Sequence, residues 1–96
     1  NLKMALTKTT EEDKIEVVGQ YKHLQIRTAT VIKEDGKELS RTFHRRVLHP
    51  GSLDNSDNFV DTDVSAESDD VKGIASTVWV QSVKDAWKAK LIADKG

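Results

Sequence analysis

Residues 24–51 read LQIRTATVIKEDGKELSRTFHRRVLHPG, and Asp35-Gly36 sits near their middle with alternating, largely β-branched residues on the upstream side. Both central residues of a type I′ turn need φ > 0, which Asp and Gly tolerate, so this stretch predicts one long β-hairpin. If Glu34 and Lys37 close a two-residue loop, Lys33 faces Glu38, Ile32 faces Leu39, Thr30 faces Arg41, Thr28 faces Phe43, Ile26 faces Arg45 and Leu24 faces Val47. One face of the hairpin is then largely apolar and takes Phe43 into the core. The other is polar and basic, with His44 beside Arg27 across the strands and Arg46 projecting the same way as His44.

Upstream, Lys14–Val18 turns Ile15 and Val17 to one side, and Gly19-Gln20-Tyr21-Lys22 supplies a reversal into a strand that starts at His23. The result is a three-stranded antiparallel meander over residues 14–51. Pro50-Gly51 stops the third strand, because proline cannot donate to a ladder and glycine favours a turn. Residues 1–13 are polar and without a usable period, and read as a flexible N-terminal segment. Met4-Ala5 reads as a natural start, with Asn1–Lys3 either added ahead of it or left by an upstream start.

Residues 52–64 form an acidic loop rich in Asp, Asn and Ser, with Leu53 and Phe59 as its large apolar anchors. A helix is expected over 65–95: Ser65 is a good N-cap, Glu67, Asp69 and Asp70 suit the positive end of the dipole, and Lys84, Lys88, Lys90 and Lys95 suit the other. On a helical wheel Val71, Ile74, Ala75, Val78, Ser82, Ala86, Ala89 and Ala93 form one stripe. Gly73 and the β-prone run Ser76–Val80 predict an irregularity near Gly73. The fold class is therefore α+β: one domain, a three-stranded antiparallel meander with a long C-terminal helix packed on one face.

Val80, Trp87 and Leu91 fall outside the stripe. A helix apolar over more than half its girth has more to bury than three strands can cover, which points to these three residues as a subunit interface. Covering by the N-terminal segment or the acidic loop is the alternative. A chain of 96 residues with 36% hydrophobic content has a thin core, and a second subunit is one way to supplement it.

Net charge is −1, yet the charge is segregated. Residues 14–49 hold eight bases against four acids, residues 50–71 seven acids and no base, and residues 72–96 five bases against two acids. Arg27, Arg41, Arg45 and Arg46 are the candidate contacts for an anion or for nucleic acid. The competing reading pairs them with the acidic segment, in the same chain or a neighbour's, and the excess of carboxylates favours it. With Phe43 in the core and Tyr21 in a turn, the polar face lacks an aromatic for base stacking.

The acidic segment fails as an EF-hand: counted from Asp61, Ala66 stands where glycine is needed and Lys72 where the bidentate glutamate belongs. The three histidines, His23, His44 and His49, have no partner at metal-ligand or triad spacing, although His23 and His49 could meet at one end of the sheet. With no cysteine in the chain, disulfides, thiolate sites and thiol catalysis are out of reach. No enzyme activity, cofactor or metal is expected. No apolar run is long enough to span a bilayer, and no signal-peptide core is present, so no membrane partner is expected.

The runs Met4–Lys8, Asp13–Gly19, Tyr21–His23, Ile26–Lys33, Ser40–Arg45 and Val83–Lys88 together give a chain that resembles a family of small uncharacterised proteins encoded by marine bacteriophages and found in ocean metagenomes. The resemblance covers nearly everything except the acidic segment and brings no catalytic residues. It implies a phage product made in the cytoplasm of a bacterial host. The expected role is a non-enzymatic, self-associating structural or assembly protein, acting as a homo-oligomer with other virion or assembly proteins and reaching the virion itself; nucleic acid binding is the second reading.

Overall fold

The structure, a computed structural model, describes residues 5–95; the expected start at Met4 and residues 1–3 lie outside the described residues. Strand β1 (Leu6–Val18), β2 (His23–Glu34) and β3 (Lys37–Leu48) form an antiparallel sheet in the order β1-β2-β3. A small hairpin follows, β4 (Gly51–Leu53) with β5 (Phe59–Asp61), and then helices α1 (Asp69–Val78) and α2 (Gln81–Lys95). The α+β meander is as the sequence indicates. No helix among the described residues is long and apolar enough to cross a membrane.

Asp35 and Gly36 both adopt positive φ, 51° and 83°, as the type I′ turn requires. Glu34 pairs with Lys37 and Lys33 with Glu38 as expected, but a bulge follows on β3. Leu39 is left over, and from there Ile32 faces Ser40, Thr30 faces Thr42, Thr28 faces His44, Ile26 faces Arg46 and Leu24 faces Leu48. Side chains alternate between faces with a period of two, so a one-residue slip exchanges the faces of everything beyond it. Leu48 and Arg46, not Val47 and Arg45, therefore accompany Leu24 and Ile26. His44 lies opposite Thr28, not beside Arg27.

Residues 6–13, expected to be flexible, are strand: β1 runs the full length of β2, and its beginning is hooked onto the far turn by Asp35 N–H donating to the Ala5 carbonyl at 3.0 Å. A polar stretch suits this position because it is an edge with solvent on both faces. Threonines at 7, 9 and 10 favour the extended backbone. A second bulge, at Asp13, changes register between Glu12–Thr28 and Lys14–Arg27.

The helical region is broken in two. Ser68, not Ser65, caps α1: its side chain accepts from Val71 N–H at 3.2 Å, while Ser65 lies in the preceding turn with its N–H on Asp63. Gly73 is passed without interruption. The break comes at Trp79, whose N–H still reaches the Ala75 carbonyl at 2.9 Å but whose ψ of 63° leaves the helix. After this break α2 restarts with a new phase. Val83, Trp87 and Leu91 turn inward, while Ser82, Ala86, Ala89 and Ala93 of the expected stripe are exposed.

Leu24, Ile26, Val71, Ala75 and Trp79 form the core, with Ile15, Leu48, Val64, Ile74, Val78 and Val83 around it. Helix α1 thus covers one face of the sheet at the end nearest Leu24. The expected acidic loop contains the β4-β5 hairpin and is packed closely: a Cβ on Gly51 would come within 2.6 Å of the Val60 carbonyl oxygen, so only glycine fits there. Away from the helices the sheet stands bare. Residues 6–11 of β1 and 37–45 of β3 are exposed throughout. The molecule extends 66 Å along its longest axis with a radius of gyration of 18.6 Å, against about 12.5 Å for a compact chain of this length.

Candidate functional site

The face of the sheet turned away from α1 collects Lys14 and Glu16 from β1, Gln25, Arg27, Ala29 and Val31 from β2, and Arg41, Phe43, Arg45 and Val47 from β3. Three of the four candidate arginines, Arg27, Arg41 and Arg45, are brought together here. Arg46 projects to the helix side. Phe43, expected in the core, is 42% exposed on this open face, because the Leu39 bulge reverses the strand. The face therefore does carry an aromatic ring beside its cations. Arg27 lies over that ring at 4.3 Å from its centre and Arg45 at 5.8 Å, within cation–π range.

Arg27 is held by both oxygens of Asp13, with Nε and Nη2 donating at 3.0 and 2.8 Å. The hydrogen bond from Arg27 keeps the Asp13 carboxyl below its ordinary pKa and raises that of the guanidinium. Arg41 is held the same way by Glu38, at 3.3 and 3.0 Å, with Glu11 nearby at 3.9 Å. These partners come from the sheet itself, not from the acidic segment. Of the four arginines, Arg46 alone meets that segment among the described residues. It donates to Glu67 at 3.0 and 2.6 Å and to Glu12 at 3.5 Å, and Glu12 in turn accepts from Ser68 at 2.6 Å. This half-buried cluster staples β1 and β3 to the start of α1, and the Arg46 hydrogen bond holds the Glu67 carboxyl below its usual range. Two other carboxylates of the acidic segment turn to α2: Asp61 pairs with Lys84 at 3.1 Å, and Asp57 pairs with Lys95.

Asp54 and Asp63 serve the backbone. Asp54 accepts from the N–H groups of Ser56 and Asn58 at 2.8 and 2.9 Å, Asp63 from that of Ser65 at 2.9 Å, and these bonds lower both carboxyl pKa values. Among the described residues no three His, Asp or Glu side chains gather as metal ligands do.

His23 and His49 meet at the α2 end of the sheet with their Nδ1 atoms 2.9 Å apart. One Nδ1–H must donate to the other nitrogen. The two rings pack with Trp87 at 4.8 and 5.4 Å, and Tyr21 joins at 5.2 Å from Trp87. Trp87 spends its indole N–H on the Gly51 carbonyl at 2.8 Å. Of the three residues expected at an interface, Trp87 and Leu91 therefore face into the chain, and Val80 alone, in the break between the helices, is largely exposed.

Burial, and secondly charge on His49, lower the pKa of His23. A histidine held neutral in the folded state stabilises above its unfolded value of about 6.5, and that contribution is lost as pH falls from there through the depressed folded value. Acid titration followed by urea unfolding is expected to show stability declining below about pH 6.5, and His23→Phe should flatten that limb; an unchanged limb in the variant would assign the decline to other groups.

Comparison with known protein families, with curated proteins and with solved structures finds no match to this chain. The site is read from its own geometry. Sequence reasoning found the arginines but missed Asp13, which the bulge places beside Arg27, and missed Phe43. The one trace of the Asp13 bulge is the polar run Glu11-Glu12-Asp13-Lys14, which interrupts the alternation of β1.

Proposed function

We propose that this chain is a non-enzymatic structural or assembly protein that associates with copies of itself through the bare part of its sheet. The observation that carries the reading is the uncovered sheet. Helix α1 covers Leu24 and Ile26 on one face of the central strand; on the other, Ala29 and Val31 are buried by side chains of the sheet itself, while Phe43 and Val47 of β3 stay exposed beside them. Leu6 at 64% and Leu39 at 54% exposed sit toward the far end. A three-stranded sheet with two unpaired edges of 13 and 12 residues is a template for further strands unless something caps it.

The two edges are also complementary. Strand β1 has four acids and two bases, whereas β3 has four bases and one acid. Joining β3 to a second β3 would set Arg41, Arg45 and Arg46 against their own copies. Joining β3 to β1 of a neighbour matches charge, and such unlike-edge contacts build rings or filaments. In the marine-phage setting that the sequence resembles, this role is that of a virion component or an assembly factor made in the bacterial cytoplasm.

Light scattering across a concentration series, at about 50 and about 500 mM salt, tests the reading. The expected result is a mass of several chains that falls at the higher salt, and a Leu6→Lys, Leu39→Lys double variant that is smaller than the parent with an unchanged circular dichroism spectrum. A single-chain mass at every concentration in low salt would overturn it.

A further inference from the structure

Lys14, Arg27 and Arg45 fall in one row across the three strands, each directly opposite the next. Adjacent strands lie about 4.8 Å apart, so three like charges are held side by side on one open face, a placement that costs stability. The register of β1 makes the row. Continued from Leu6–Glu12, it would put Asp13 opposite Arg27 as a plain cross-strand ion pair. The bulge sets Lys14 there instead, and Asp13 reaches Arg27 from beside the row.

We propose that this row is a binding site for the phosphate group of a nucleotide. Arg27 is already oriented, clamped by Asp13 and laid over Phe43, which reduces the ordering that binding requires. Arg45 forms no ion pair among the described residues and keeps its guanidinium fork for a ligand. Among the described residues Lys14 pairs with the exposed Glu16 alone, at 3.5 Å. These side chains, with Gln25 and Val47, line a cavity of about 290 Å³. Gln25 adds a neutral hydrogen-bonding group, and Glu16 is the one carboxylate on the lining. The Arg45 fork, the Nη1 group of Arg27 that Asp13 does not engage and the Lys14 ammonium group suit the several oxygens and the charge of a phosphate. The partly exposed Phe43 ring beside them offers an apolar surface to the attached base. Binding here needs no second copy of the chain, although Lys14 and Arg45 belong to the edge strands β1 and β3 that the self-association reading joins; binding and solution mass are therefore read separately in each variant.

Two sources share this chemistry, a free mononucleotide and the backbone of a single strand. Binding of AMP by calorimetry and of a fluorescent twelve-residue oligothymidylate by anisotropy, both at about 25 mM salt, separates them. The expected result is saturable binding of at least one. Arg45→Gln and Lys14→Gln should each weaken it about tenfold, while Lys37→Gln, which removes the same charge at the distal turn, changes it less than about twofold. Using both row variants guards against a fold defect in either, and circular dichroism checks each. AMP binding that depends on the row assigns a mononucleotide site, and oligonucleotide binding alone assigns a strand. No saturable binding of either probe overturns the proposal, as does equal weakening by the Lys37 and row variants, which would mean diffuse attraction only.

Discussion

Trp79→Ala is expected to lower the unfolding free energy by about 3 to 5 kcal/mol, the range for removing a large aromatic side chain from a core. Trp79 is 8% exposed and belongs to the central cluster with Leu24, Ile26, Val71 and Ala75. It also ends α1, and its indole N–H donates to the Lys22 carbonyl at 2.7 Å. That carbonyl belongs to a residue held at φ of 55° in the reversal between β1 and β2. One side chain thus joins the helix break to the sheet turn. Trp79→Phe keeps most of the apolar area and removes the donor, and should cost about 1 to 2 kcal/mol. A chain of this length has about 5 to 14 kcal/mol in total, so the alanine variant will be partly unfolded near body temperature. Urea unfolding followed by circular dichroism measures both. A loss below about 1 kcal/mol for Trp79→Ala would mean that α1 does not dock on the sheet as described.

Leu24→Ala should cost about 2 to 5 kcal/mol. Leu24 is fully buried, lies between Val17 and Leu48 in the sheet, and packs in the same cluster as Val71 of α1. The cavity has little means of closing, because the sheet fixes Leu24 on both sides through its backbone ladder. At about 4 to 8 °C per kcal/mol for a domain of this size, the midpoint of thermal unfolding should fall by more than about 8 °C. The same truncation at Leu39, an exposed bulge residue, should leave the monomer's stability within about 0.5 kcal/mol. Comparing the two separates the core that folds the chain from the surface proposed to assemble it.

The hairpin was legible because the Asp35-Gly36 turn is a local signal: two residues supply the positive φ values and their neighbours supply the β-propensity. The face assignment of β3 was not legible. Leu39, Phe43 and Val47 alternate with Ser40, Thr42, His44 and Arg46, and the alternation alone points Phe43 toward the core. A single unpaired residue, Leu39, reverses that outcome. Its placement depends on which cross-strand pairs form, and the sum over the whole ladder decides that, not the residues at the turn. The same holds for β1, where Lys14 reaches Arg27 only through the bulge at Asp13.

The helix break has a similar origin. The period of 3.6 runs through Trp79 and Val80 without a proline or glycine to stop it, so the sequence reads as one helix. Trp79 leaves the helix where its ring enters the core and its indole N–H meets Lys22, a partner 57 residues away. That contact re-phases α2 and turns Trp87 and Leu91 inward, leaving Val80 out.

By itself the sequence determined the class of the fold, the order of its strands, the turn that joins β2 to β3 and the identity of the cationic side chains, because each follows from short-range propensity or composition. Only the tertiary structure decided which face each of those side chains occupies, where the helix divides and which residues remain uncovered. Those outcomes depend on pairings between residues far apart in the chain, where one bulge or one buried indole outweighs the local pattern.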